Sequence, residues 1–176
     1  MGVVMLNILK VKVEELTRES FAPFGKAIAT FDEAKPEVVM GGLLENAYPV
    51  TGDIPDPLPA KLSLSEGRVR AHFACHDDAG QSFYPSRHCP TVFWVAPVKP
   101  IIEPEDLVAF YSDGALGICM DLGVWHTMPV CLKGDEVYMT ARGDQEYDAH
   151  SIDVHFDEDR GLALEPDMDN YPGWNG

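Results

Sequence analysis

One histidine follows a Gly-Val-Trp sequence near the middle of the chain, between two apolar runs. His126 comes directly after Gly123-Val124-Trp125, and a glycine at this place allows a sharp turn or a positive φ. We therefore expect the imidazole at the start of a strand, where it could bind a metal ion or transfer a proton. The alternative is a buried core histidine beside a tryptophan, with no chemical role.

A second group of polar side chains shares one strand. The period-two alternation of a β-strand puts Arg70, His72 and His76 on the same face. Such side chains are costly to bury without partners. They predict either a wet polar cavity or a solvent-facing edge strand. Gln81 follows His76 by five residues and could return to the same cavity.

Length and net charge limit the number of domains and the kinds of partner that we expect for this chain. With 176 residues, 45% of them hydrophobic, the chain is long enough for one domain over residues 1–176, in which residues 157–176 form an acidic, turn-rich tail. The net charge of −16 would repel nucleic-acid phosphates and anionic membranes, so we expect neither as a partner. No apolar run is long enough for a transmembrane helix, and the N-terminus lacks a signal-peptide pattern. We expect a cytoplasmic protein.

The four cysteines show no CxxC spacing and are too sparse for a disulfide framework. They are Cys75, Cys89, Cys119 and Cys131. We expect buried thiols of a cytoplasmic protein, with a zinc site as the alternative.

Many short strands, punctuated by Gly, Pro, Asp and Asn, follow residue 67, and this spacing is typical of an antiparallel sandwich or barrel. Before them, a strand is expected over Ile8 to Val13 and another over Lys26 to Phe31. Thr17 is a suitable N-cap for a short helix up to Gly25. The region 41–61 is rich in Gly, Pro and Asp and predicts an extended loop.

The polar positions resemble a degenerate cupin motif. The usual cupin pattern has two histidines one residue apart, a glutamate five residues on, and a distant histidine after a glycine turn. Ala74, His76, Gln81 and His126 occupy the matching positions. Two of the four usual ligands are histidine here, and tight transition-metal sites use three or four protein ligands. No cofactor is firmly implied, although a divalent metal could bind if His72 replaces the missing ligand.

Four further segments of the chain resemble those of one particular family. Residues 15–28 are similar to the Leu-Thr-x-Glu-x-Phe-Ala-Pro-Phe-Gly opening of the ureidoglycolate lyase family, and residues 76–85 resemble its His-Pro-Leu-Gly-x-Gln-Ala-Phe-Ile-Pro segment. Residues 91–97 resemble its apolar strand that ends in Ala-Pro, and 117–129 resemble its Gly-Val-Trp-His-His-Pro segment. The blocks come in the family's order over most of residues 14–156. The resemblance implies a mainly β, cupin-like antiparallel β-barrel (jelly roll) with one or two short peripheral helices.

The family reaction, if it holds here, eliminates urea from ureidoglycolate and leaves glyoxylate, a step of allantoin degradation in purine catabolism. This chemistry needs a base for the hydroxyl proton and an acid for the departing nitrogen. We assign His126 as the base and His76 as the acid or orienting partner, with Gln81 on the ureido group. Asp121 either orients His126 or replaces a lost polar group.

The substrate that the resemblance implies is a small anion, and its carboxylate needs a cation. Arg70 or Arg142 could supply it, and His72 and Trp125 complete the expected substrate-binding set. Arg142 could equally be a surface ion-pair residue.

The chain departs from the family pattern at several polar positions. Met120-Asp121-Leu122 stands where the family has Tyr-His-Arg, Thr127 replaces its second histidine, and Ala141 replaces the aspartate before Arg142. The alternatives are a cupin enzyme that acts on another small hydroxy or oxo acid, with a metal held by His72, His76 and His126, or a non-catalytic cupin that binds a small ligand. The resemblance also implies a homodimer, for which the apolar Val92-Phe93-Trp94-Val95 could supply surface.

Overall fold

The structure is a computed structural model and describes residues 6–29, 58–59, 69–77, 81–85, 89–133, 137–141 and 151–174. These residues form fifteen short strands and two four-residue helices. In chain order the elements are β1 (Asn7–Val11), β2 (Val13–Glu15), α1 (Arg18–Phe21), β3 (Gly25–Ala29), β4 (Leu58–Pro59), β5 (Val69–Arg70), β6 (His72–His76), β7 (Gln81–Pro85), β8 (Thr91–Ala96), β9 (Val108–Ser112), β10 (Leu116–Met120), β11 (Trp125–His126), β12 (Val130–Cys131), β13 (Val137–Ala141), β14 (Ser151–His155), α2 (Phe156–Asp159) and β15 (Leu162–Pro166).

The strands make three sheets. The largest has the order β14-β6-β11-β8-β9-β2, with β12 also paired to β8, and the second has the order β3-β10-β7-β13-β4. A small sheet, β1-β15-β5, completes the set. The pairs β1–β15 and β2–β9 are parallel, and the other pairs are antiparallel. The predicted mainly β, cupin-like class with short peripheral helices is therefore confirmed.

Two apolar clusters lie on the two faces of the seven-stranded sheet. One joins Phe93 and Phe110 of this sheet to Phe83 and Ile118 of the five-stranded sheet. The other joins the opposite face to residues of the small sheet, including Leu164. Alternating side chains of one strand enter different clusters because successive side chains point to opposite faces.

Strand β8 shows this double burial most clearly. Val92 and Trp94 belong to one cluster, whereas Phe93 and Val95 belong to the other. All four are at most 1% exposed. The strand that suggested a dimer interface is thus buried inside a single protomer, and it offers no surface to a second one.

Helix α1 begins as its sequence predicts but is shorter. Thr17 is the N-cap: its hydroxyl accepts from the Ser20 N–H at 2.9 Å, and the Ser20 hydroxyl accepts from the Thr17 N–H at 2.9 Å. This reciprocal pair is a capping box. The helix ends at Phe21, whose ring packs edge-on against Phe110 with 5.3 Å between centroids.

The C-terminal segment is integrated into the fold. Strand β15 pairs in parallel with β1, and its Ala163 and Leu164 are buried. Trp174 lies against the Tyr111 ring at 6.0 Å between centroids. The sequence predicted the acidic turns of residues 157–176 but not this strand. Most of the predicted loop over 41–61 lies outside the described residues.

All four cysteines are buried, and none forms a disulfide. Within the described ranges, no helix is long and apolar enough to cross a membrane.

Candidate active site

His76 and His126 meet in the interior of the sandwich. Both are buried, and their ring centroids are 5.2 Å apart with 47° between the planes. Strand β11 pairs with β6 so that His126 lies opposite Ala74. His76 is two residues further along β6, and diagonal neighbours on one face of an antiparallel pair are within reach of each other.

The turn before β11 connects the two histidines through the backbone. The Gly123 N–H donates to the His76 carbonyl at 2.8 Å, and the Val124 N–H donates to the Asp121 carbonyl at 3.3 Å. Gly123 has a φ of +77°, a conformation that other residues adopt with strain. The glycine expected from the sequence is therefore required by the geometry of this turn.

Electrostatics keep His126 neutral. Its Nδ1 is 3.0 Å from the Val124 carbonyl. Because a carbonyl oxygen can only accept, Nδ1 carries the proton and Nε2 keeps its lone pair. The pKa of His126 is lowered to about 4, mainly by burial; the bond to the Val124 carbonyl opposes this shift, and the nearby His76 adds to it. At neutral pH the side chain is a proton acceptor at Nε2.

Gln81 lies on the inner face of the five-stranded sheet. It is buried at the start of β7, and alternation puts it on the same face as Phe83. The Phe83 ring meets the His126 ring edge-on, with 6.1 Å between centroids. Gln81 therefore faces the layer that contains the two histidines. Its strand partner in β13 is Ala141.

Asp121 and Trp125 precede His126 in the sequence but do not share its surroundings. The Asp121 side chain is exposed, while its backbone N–H donates to the Phe24 carbonyl at 2.9 Å. Trp125 belongs to the cluster on the opposite face of the sheet, and its Nε1 donates to the Lys99 carbonyl at 3.0 Å. Both positions thus support the turn and the strand that carry His126.

Arg70 lies at the surface, away from the histidine pair. Its side chain is 69% exposed, and its Nε is 3.8 Å from the buried carboxylate of Asp157. It belongs to β5 of the small sheet, whereas His76 is the last residue of β6 in the seven-stranded sheet. Arg142, the other candidate cation, lies outside the described residues.

His72 occupies the solvent-facing end of β6. Its Nε2 is 3.2 Å from Asp153 Oδ1, and its ring stacks on His155 at 4.2 Å. The three histidines of the alternative metal site, His72, His76 and His126, are therefore not assembled. In the part of the chain that the structure describes, no three His, Cys, Asp or Glu side chains are grouped to hold a metal ion. The donor set does not fit the metal alternative.

Two features of the site were not predicted from the sequence: the Val124 carbonyl that fixes the proton on His126, and the Gly123 N–H that contacts the His76 carbonyl. The Gly-Val-Trp-His sequence was the available signal, but it identifies a turn and not the atoms that the turn brings together. The pair of imidazoles, one of them neutral, can accept a proton at one position and deliver one nearby.

The site is a buried pair of histidines inside a cupin-like β fold, and such a pair is suited to the proton transfers of an enzyme. Comparison with known proteins identifies the family. The model of the ureidoglycolate lyase family matches residues 68–162, which include both histidines, Gln81 and the turn. The chain therefore belongs to the ureidoglycolate lyase family, as the sequence motifs predicted.

Curated relatives extend the similarity beyond the matched segment. The chain is 28% identical to a ureidoglycolate lyase of Pseudomonas aeruginosa over 165 residues, which covers 89% of this chain and 96% of the relative. It is 28% identical to that of Pseudomonas syringae pv. syringae, with the same coverage of both chains. It is 27% identical to that of Azotobacter vinelandii, with 88% and 96% covered.

Proposed function

We propose that this protein is a ureidoglycolate lyase, which eliminates urea from ureidoglycolate and leaves glyoxylate. The observation that carries the proposal is the buried pair of His76 and His126, 5.2 Å apart, inside the segment that matches the family. Family membership supplies the reaction, and the pair supplies two proton-transfer groups at one place.

The reaction needs two proton transfers, and each histidine takes one. Nε2 of His126 accepts the proton of the substrate hydroxyl, and the electron pair of that O–H bond becomes the second C–O bond of glyoxylate. The C–N bond breaks, its electron pair passes to nitrogen, and His76 delivers a proton there. The lowered pKa of His126 supports this division of roles, since the base must be neutral before it acts.

The remaining polar groups orient the substrate. Gln81, which is buried on the inner face of its sheet, hydrogen-bonds the ureido group. For the carboxylate we propose Arg142, which follows Ala141, the strand partner of Gln81. The exposed position of Arg70 beside Asp157 favours Arg142 over Arg70 for this role. Asp121 positions His126 through the backbone of the turn.

The test is glyoxylate release from ureidoglycolate by the purified wild-type protein. Ureidoacetate lacks the hydroxyl group, so it should compete with the substrate without being cleaved. EDTA should leave the rate unchanged, because the proposed proton transfers use the two histidines alone. Absence of glyoxylate release would reject the lyase proposal, and turnover of another hydroxy acid would support the alternative cupin enzyme. Loss of activity with EDTA, restored by a divalent ion, would reject the metal-free mechanism.

The two arginines provide a matched pair of variants. Arg142→Ala should raise KM for ureidoglycolate by about tenfold or more, since a charge-assisted pair with the carboxylate is lost. Arg70→Ala should leave KM near the wild-type value. The opposite result would move the carboxylate site to the Arg70 end of the protein.

We further propose that the protein is a cytoplasmic homodimer that serves allantoin degradation in purine catabolism. Family resemblance supports the dimer. Val98, Ile101 and Leu122 are large apolar side chains that remain exposed in the protomer. Light scattering at micromolar concentration should give twice the mass of the chain, and a monomeric mass would reject the dimer.

A further inference from the structure

A groove outside the histidine site is built from three separate parts of the chain. It has a volume of about 610 Å³ and is lined by residues 15–18, by residues 111–116 except Gly114, and by residues 171–173. This volume is within the range of small-molecule binding sites. The groove lies at the Leu116 end of β10, whereas the histidine site lies beyond Met120 at its other end, about 13 Å along the strand.

The walls of the groove are held by backbone and side-chain hydrogen bonds. The Leu16 N–H donates to the Tyr111 carbonyl at 2.8 Å. The Ser112 hydroxyl donates to the Leu116 carbonyl at 2.6 Å and accepts from the Gly114 N–H at 3.1 Å. These bonds fix the β9–β10 turn against the segment before α1. The groove is thus largely formed before any ligand arrives.

Aromatic rings form one side of the groove. The Tyr111 and Tyr171 rings are 4.9 Å apart and tilted by 50°, and Trp174 packs edge-on against Tyr111. The face of an aromatic ring attracts organic cations. Trp174 packs on Tyr111 but does not line the groove, and its ring has a cation of the protein itself, Lys133 Nζ, 5.7 Å from its centroid.

Two carboxylates, those of Glu15 and Asp113, line the groove together with the two tyrosines. Burial raises the pKa of Tyr171, and the charges of Glu15 and Asp113 raise it further. Burial and the charge of Asp113 likewise raise the pKa of Tyr111. Asp113 is held in place because its Oδ1 accepts from the Ala115 N–H at 2.9 Å. Arg18 also lines the groove, so the local balance is two acidic groups to one basic group.

We propose that this groove is a binding site for a small organic cation of the alkylammonium class, which lies against Tyr111 and Tyr171 and is neutralised by Glu15 and Asp113. The charge of the whole chain, −16, strengthens attraction of such a ligand toward the protein. The site is separate from the histidine pair, so its occupation does not depend on lyase activity.

The probe is choline, with 3,3-dimethylbutan-1-ol as its neutral counterpart of the same shape and sodium chloride as the ionic-strength control. Two-dimensional ¹H–¹⁵N NMR of the full chain reports the amides of Tyr111, Ala115, Leu116 and Tyr171. Choline should shift these amides saturably at millimolar concentration, and the neutral alcohol should not. Equal shifts with both compounds, or no shift with either, would overturn the proposal.

Two variants test the two parts of the site. Tyr171→Leu keeps apolar bulk but removes a ring face, and it should weaken choline binding by about tenfold. Asp113→Asn keeps the oxygen that accepts from Ala115 and should weaken binding through charge alone. Asp159→Asn on α2 removes the same charge elsewhere and should leave binding unchanged. Wild-type choline affinity in both groove variants would contradict the site, and glyoxylate release should be the same in wild type and Asp113→Asn.

Discussion

The two ends of strand β6 carry histidines on the same face in opposite surroundings. His76 is 8% exposed and meets His126 between two sheets. His72, four residues earlier, is exposed and contacts Asp153 and His155 of the neighbouring strand. Alternation along a strand is identical for both residues, so the local pattern does not cause the difference.

The difference arises from what covers each end of the strand. Phe83 of the five-stranded sheet reaches His126, and thereby closes the interior around the pair. At the His72 end, the partners are carboxylate and imidazole groups of an edge strand that faces water. A histidine becomes a desolvated proton acceptor where a second sheet excludes water, and it remains a solvated surface group where none covers it.

Replacing one histidine from each environment should give the largest contrast. His126→Ala should reduce kcat for glyoxylate release by about 100-fold or more, the usual scale for a general acid–base group. His72→Ala, the matched control, should stay within about twofold of wild type. Steady-state kinetics on both variants measures the contrast. Equal losses, or a larger loss in His72→Ala, would show that burial does not mark the reactive histidine.

The pH dependence of stability should reveal the buried imidazole. His126 has its pKa lowered from 6.5 to about 4, so between these values the unfolded chain binds a proton that the folded chain does not. Its contribution to stability is complete above pH 6.5 and is lost as the pH falls towards 4. The loss amounts to roughly 3 kcal/mol for this shift.

Urea unfolding at pH 7.5 and pH 4.5 measures this contribution. Wild type should lose more unfolding free energy between the two pH values than His126→Gln, which keeps a polar side chain but has no imidazole to protonate. Parallel losses in the two proteins would mean that folding does not lower the pKa of His126, and the desolvated environment assigned to this imidazole would be wrong.

Sequence reasoning identified the elements of the fold better than the assembly of the site. The capping box at Thr17 and the strands after residue 67 depend on local propensities, and the structure contains them. The structure does not group Arg70 and His72 with His76. Arg70 lies on β5 of the small sheet, and His72 shares the face of His76 on β6 without its cover, because alternation specifies a face and not its coverage. Coverage is set by pairing between distant strands, such as β7 with β10.

The sequence pattern also does not specify what covers the strand Val92-Phe93-Trp94-Val95. Its continuous apolar character predicts surplus surface for a dimer, but three layers of sheet bury both faces within one protomer. A continuous apolar run is typical of a strand covered on both sides. The sequence contained that signal, and the small sheet formed by β1, β15 and β5 is what provides the second cover.

Two glycines with similar backbone conformations offer a sharper test of the turn. Gly123 has φ +77° and contacts His76, whereas Gly161 has φ +64° and lies between α2 and β15. A Cβ at Gly123 would be 3.2 Å from Val98 Cγ1, but a Cβ at Gly161 would have no atom within 4 Å. Alanine at either position should cost about 1 kcal/mol of stability through backbone strain.

Activity should separate these two variants. Gly123→Ala should reduce kcat by about tenfold, because a shift of the turn displaces the bond to the His76 carbonyl and misaligns the pair. Gly161→Ala should lose stability without losing turnover. Thermal unfolding and glyoxylate release on both proteins test the role of the turn. Full activity in folded Gly123→Ala would mean that the turn does not position the histidines.

The smallest effect is expected at the exposed end of β6. Asp153→Asn removes the carboxylate 3.2 Å from His72 Nε2, and both side chains are well exposed, at 39% and 47%. Solvent screens such a pair, so the unfolding free energy should change by less than about 0.5 kcal/mol and kcat should not change. Chemical denaturation at low and high salt measures this. A loss several times larger would show that this end of the strand is more strongly coupled than its exposure indicates, and it would weaken the contrast between the two histidines from which the roles in the site were assigned.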